Sequence, residues 1–159
     1  MNRYPHIGLL TYAKEFLQAA SVIVESGQIQ STRIAATYLY GHAIELALKS
    51  ILVKNGIPEK QLKNPEKFGH DLAKALKKAD SYPEKEFFDQ ALREIVEMLN
   101  PVYGKKHLEY HPGPGGMRLS AEGDMQETVK RLINNLDARY RKCLSAELSR
   151  PAPSPHPKP

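Results

Sequence analysis

The sequence predicts an all-α fold, a five-helix antiparallel bundle. Three observations lead there: apolar residues recur every three and four positions in each long segment, glycine and proline separate those segments, and no stretch shows the alternation of a strand. With 159 residues, 41% hydrophobic and 26% charged, the chain has the size and composition of one ordinary domain, able to bury a core without staples.

The first helix is read over Leu9–Glu25, where Leu9, Ala13, Phe16, Leu17, Ala20, Ile23 and Val24 share one face. Ser26-Gly27 stops it, since glycine enters the left-handed cap conformation without a Cβ clash. Ser31 or Thr32 then offers a side-chain oxygen to the free amides of a second helix, Ser31–Lys54. That helix is apolar over most of its circumference, with a narrow polar stripe of Arg33, Thr37, Gly41, Glu45 and Lys49, and therefore belongs at the centre of the bundle. Glu45 precedes Lys49 by one turn, the favourable order for an ion pair. Gly56 and Pro58 close the helix.

Beyond a lysine-rich connection, Gly69-His70-Asp71-Leu72 opens a short helix to about Ala79, with Leu72, Ala75, Leu76 and Ala79 facing inward. Pro83 suits the first turn of a fourth helix, where Glu84 and Glu86 complement the positive end and Phe87, Phe88, Ala91, Leu92, Ile95, Val96 and Leu99 are inward. Asn100 ends it before Pro101. The longest irregular stretch, Pro101 to Leu119, contains Pro112-Gly-Pro-Gly-Gly, and loops of this length in a domain are usually functional or mobile. A last helix from Ser120 or Ala121 to about Leu148 turns Met125, Val129, Leu132, Ile133, Leu136, Tyr140, Cys143 and Leu144 inward and Lys130, Arg131, Arg139, Arg141 and Lys142 outward. Residues 1–148 thus form the helical domain, and the proline-rich residues 149–159 are expected to be a disordered tail.

The apolar stretch Ile34–Val53 carries Glu45 and Lys49 near its middle, so a buried helix is expected rather than a membrane span. The first residues lack the pattern of a secretory signal, and the lone Cys143 excludes an intrachain disulfide; a cytoplasmic location without membrane association is expected. Cys143 is expected to pack as a small hydrophobe, and Tyr12, Tyr38 and Tyr40 to serve the core or a dimer contact. Of the +5 net charge, most lies between Lys54 and Lys78, where Lys54, Lys60, Lys63, Lys67, Lys74, Lys77 and Lys78 meet only Glu59, Glu66 and Asp71. Such a run is either a solvated surface or a functional patch.

The sequence Tyr40-Gly-His-Ala-Ile-Glu-Leu-Ala-Leu-Lys-Ser-Ile-Leu, the stop at Lys54-Asn-Gly, and Gly69-His-Asp-Leu after the lysine-rich gap resemble the HEPN domain. The resemblance spans about Leu9 to Leu144 and implies a helical bundle that is often a dimer, in a family of RNases, toxin–antitoxin pairs, phage-defence systems and nucleotide-associated accessory domains. The motif residues Glu45, Lys49, His70 and Asp71 have a structural reading: Glu45 and Lys49 satisfy each other on a buried helix, while Asp71 caps the helix that follows. His42, on the apolar central helix, is read as a packed, hydrogen-bonded histidine.

Catalytic HEPN RNases resemble one another in an arginine followed after four to six residues by a histidine, with histidine moving protons and arginine stabilising phosphate charge without a metal. Arg33, Arg93, Arg118, Arg131, Arg139 and Arg141 have no histidine at that distance. The nearest imitation is Lys105 or Lys106 ahead of His111, and lysine lacks the planar fork that grips phosphate oxygens. The tract from Tyr103 to Arg118 nevertheless gathers Lys105, Lys106, His107, Tyr110, His111 and Arg118, cations and an aromatic ring suited to phosphate or an unstacked base; a flexible basic loop without a ligand is the other reading. His107 and His111 stand one turn apart without further ligands, so no metal and no cofactor is expected.

These readings converge on a noncatalytic HEPN-type protein that binds RNA, a nucleotide or a partner protein, in a phage-defence or toxin–antitoxin setting, and that forms a homodimer. The alternatives are a divergent metal-independent endoribonuclease using His111 with Lys105 or Lys106, and a homodimeric structural module.

Overall fold

The central helix organises the rest. In a computed structural model of the chain, which describes residues 4–27, 29–104 and 122–149, α1 (Pro5–Glu25) is followed by α2 (Ile29–Lys54), α3 (Glu59–Leu62) and α4 (Leu72–Ala79). A 3-10 turn, Pro83–Phe87, leads to α5 (Gln90–Tyr103), and α6 (Glu122–Leu148) completes the described chain, which contains no strand. α2 packs against α1, α4, α5 and α6. Its Tyr40, Ala43, Ile44, Ala47, Leu48, Ile51 and Leu52 are buried, which is where a helix apolar nearly all round must sit. Among the described residues, the five helices of eight residues or more correspond to the five read from the sequence, and the fold is all-helical.

Local chemistry moves several boundaries. α1 begins at Pro5, not Leu9, with proline's fixed φ in the first turn. α2 begins at Ile29, so Ser31 and Thr32 lie inside the helix and are not its caps. The segment expected as one helix from Pro83 to Asn100 is broken at Phe88 (φ −96°, ψ 83°), after which the Asp89 carboxylate accepts from the Leu92 amide at 2.9 Å and starts α5. α5 then runs past Pro101 to Tyr103. Pro101 lies in the last turn on the exposed side, where a lost intrahelical bond is least costly. The four-residue α3 was not foreseen either.

Side-chain placement adds to these findings. Cys143 is exposed rather than packed, because α6 outruns its neighbours beyond Tyr140 and helical spacing no longer implies cover. Tyr12 is 57% exposed, which rules out the core as its place and does not bear on the dimer contact. Glu84 sits in the first turn of the Pro83 segment as expected, but it is 1% exposed, receives Lys54 Nζ at 2.7 Å and Asn55 Nδ2 at 3.2 Å, and thereby ties the 3-10 turn to α2. Burial alone would raise its pKa; these bonds and the Lys54 charge outweigh that and hold it low. By length and composition α1 is the one described helix apolar enough to cross a membrane; it packs on α2 and α6 and buries Leu10, Ala13 and Ala20.

Candidate functional site

The polar centre of the bundle forms around Glu45, 3% exposed in the middle of α2. One oxygen, Oε1, accepts from Lys49 Nζ one turn on. The other, Oε2, accepts from the Tyr103 hydroxyl at the end of α5 and lies 3.1 Å from His70 Nδ1 and 3.4 Å from His42 Nδ1. His42 Nδ1 is also 2.8 Å from the Tyr103 oxygen. A carboxylate can only accept, so Tyr103 donates to it and His70 presents Nδ1–H; the Tyr103 oxygen, its one hydrogen engaged by Glu45, accepts from His42 Nδ1–H. Both imidazoles therefore carry hydrogen on Nδ1 and are oriented by the same buried charge.

Burial is the largest influence on the Glu45 carboxyl and would push its pKa up. The His42 hydrogen bond, the Lys49 charge and hydrogen bond and the Tyr103 hydroxyl together outweigh it, holding the group ionised and well below the usual carboxylate range. Lys49 also donates to the Gly69 carbonyl at 2.8 Å, and this hydrogen bond joins α2 to the turn ahead of α4. Gly69 has φ +49°, and a Cβ there would lie 3.0 Å from the Pro65 Cα, so the turn requires glycine. Two residues on, the Asp71 carboxylate accepts from the Lys74 amide at 2.8 Å and caps α4. The four residues of the sequence motif, Glu45, Lys49, His70 and Asp71, are thus brought to one corner of the fold.

Sequence reasoning missed Tyr103 as the fourth partner. Its ring lies against Gly41, where an added Cβ would come within 2.8 Å of the ring. Gly41 was the signal: glycine inside a helix costs stability, so it marks a close approach by something. Around this contact His42 stacks on Tyr38 with ring centroids 5.9 Å apart, and Phe16 meets His42 edge-on at 4.3 Å.

A cleft of about 640 Å³ opens beside the cluster, lined by Lys63, Phe68, His70, Asp71, Asn100 and Gly104. Its polar groups are largely engaged: Asn100 Oδ1 accepts from the Ala73 amide at 3.1 Å, Asp71 caps α4, and His70 is held by Glu45. Among the described residues no group of three or more His, Cys, Asp or Glu side chains could hold a metal ion. Lys105, Lys106, His107, Tyr110, His111 and Arg118 lie outside the described residues.

Comparison with known proteins settles the family. A family model of the HEPN domain matches residues 8–138. The chain belongs to the HEPN family. No curated protein and no solved structure matches it. Within the HEPN match, Arg93 and Arg131 are paired with the carboxylates of Asp80 and Asp89, and Arg33 precedes His42 with eight residues between them, outside the family spacing. Arg139, just past the match, pairs with Glu86, and Arg141 with Asp137. An arginine and a histidine with five residues between them do occur, Arg150 and His156; the pair falls beyond residue 138 and outside the described residues.

Proposed function

We propose that this HEPN domain is a noncatalytic RNA-binding module. The observation that supports this most directly is the commitment of the two histidines at the polar centre. His42 and His70 are anchored on Glu45 and Tyr103, and no described arginine follows the family spacing toward either of them. A histidine that orients a buried carboxylate network, with no arginine at the family spacing, lacks the partner that would stabilise phosphate charge in a transition state. Glu45, Lys49, His70 and Asp71 then act by holding α2 against α4 and α5.

Ligand contact is assigned to Lys105, Lys106, His107, Tyr110, His111 and Arg118, whose cations and rings suit phosphates and unstacked bases. In this reading the protein works as a homodimer in the cytoplasm, in a defence or toxin–antitoxin setting. Binding of labelled single-stranded RNA across a salt series tests it. Affinity that falls steeply as salt rises is expected, because phosphate contacts release counterions. Absence of RNA binding, with salt-insensitive capture of a protein partner instead, would overturn the RNA reading.

A further inference from the structure

We propose that the hollow on the outer side of α4 is a phosphate-binding site for single-stranded RNA, separate from the tract at residues 105–118. The proposal rests on the RNA-binding reading and assigns it a surface in the described fold. The hollow, of about 620 Å³, has Ile57 and Phe68 in its apolar part and Lys67, Lys74, Lys77 and Lys78 around it. Glu66 is the one acidic residue in its lining.

What singles this hollow out is the gathering of unpaired lysines in one lining. Lys14, Lys49, Lys54, Arg93, Arg131, Arg139 and Arg141 each meet a carboxylate, and Lys60, Lys63, Lys85 and Lys142, which form no ion pair among the described residues either, stand outside its lining. Among the described residues Lys67, Lys74, Lys77 and Lys78 form no ion pair. Lys74 Nζ donates to the Glu66 backbone carbonyl at 2.9 Å, and Lys78 lies over the Tyr82 ring at 5.8 Å, contacts that fix position without cancelling charge.

Helix physics explains only part of the clustering. Lys77 and Lys78, in the last turn of α4, gain from the helix dipole. Lys67 precedes the helix and Lys74 sits in its first half, so neither gains. Lys74 and Lys78 are moreover one turn apart, a like-charge spacing that destabilises a helix. Four cations kept together against their own repulsion suit an anionic ligand. All four are lysine, a point charge that donates to a phosphate oxygen from any direction. Together with the RNA-binding reading, this charge makes a chain of phosphates the ligand assigned to the surface.

The test uses the full chain and a fluorescent single-stranded RNA. A Lys67→Ala/Lys77→Ala/Lys78→Ala variant is compared with a charge-matched Lys85→Ala/Lys130→Ala/Lys142→Ala control, each checked for an unchanged melting temperature. Lys74 is left in place because it braces the Glu66 carbonyl. The hollow variant is expected to lose about tenfold or more in affinity at low salt, and the slope of log affinity against log salt to flatten by about 2, at roughly 0.7 per lost single-strand phosphate contact. The control is expected to change by less than about twofold. Equal loss in both variants would overturn the site in favour of general charge attraction. Undiminished binding by the hollow variant would overturn the site and leave the RNA reading standing, with the tract at 105–118 as its surface. No binding by the unmodified protein would overturn both, and displacement of RNA by polyglutamate at matched charge would replace RNA with an acidic protein partner.

Discussion

Around Glu45 one buried carboxylate is met by two histidines, a lysine and a tyrosine, whereas the outer surface of α4 gathers four lysines around one hollow with no ion pair among the described residues. Both regions are polar, and both lie against the short α4. They differ in where the compensating charge comes from. At Glu45 it is internal, because a charge removed from water must be met by donors of the chain itself. At the lysines water supplies it, so the charges remain available to a ligand. A residue type thus says little about function until its partner is known, and this contrast separates side chains that hold the fold from those that can bind.

Removing Glu45 should give the largest effect. Glu45→Ala leaves Lys49 half of a broken buried pair and both imidazoles without their anchor, and is expected to cost about 3–5 kcal/mol in urea unfolding. A loss under about 1 kcal/mol would mean that the network contributes little to the fold. Tyr103→Phe removes a single hydroxyl that bridges His42 and Glu45, and should cost about 1.5–3 kcal/mol, seen as a lower urea midpoint at unchanged slope.

Acid should act on the same network. The folded-state pKa of Glu45 lies below its ordinary value of 4.5, so its stabilising contribution is complete above that value and is lost as pH falls through it toward the folded-state value. Glu84, Asp80 and Asp137 are also held low and add acid sensitivity of their own. Comparison with Glu45→Gln isolates the hub: unfolding free energy of the unmodified protein should fall more steeply below pH 4.5 than that of the variant. Parallel curves would show that Glu45 is not held low. At the other extreme, the triple alanine change at Lys67, Lys77 and Lys78 should shift stability by no more than about 0.5 kcal/mol, in either direction. A larger loss would place those lysines among the residues that hold the fold.

The sequence made the helices legible because each buries a face at regular spacing, and α2 stood out because it buries nearly all of its circumference. Periodicity does not say how far a neighbour extends, which is why Cys143 was expected inside and lies exposed on the overhanging end of α6. It also missed the break at Phe88, which depends on Asp89 serving as a cap within an otherwise continuous apolar pattern. In the site, the Glu45–Lys49 pair was readable because its partners are one turn apart. Tyr103 was not, since 58 residues separate it from Glu45 and only the packing of α5 on α2 brings them together. Gly41 hinted at a close neighbour without naming it.

The noncatalytic reading is tested most directly by incubating the purified full chain with a mixed RNA pool in EDTA. The account predicts RNA that is retarded on a native gel at low salt and of unchanged length on a denaturing gel. Shortened RNA from the unmodified protein, with cleavage abolished in His111→Ala or His156→Ala, would contradict it and place a working histidine outside the Glu45 network.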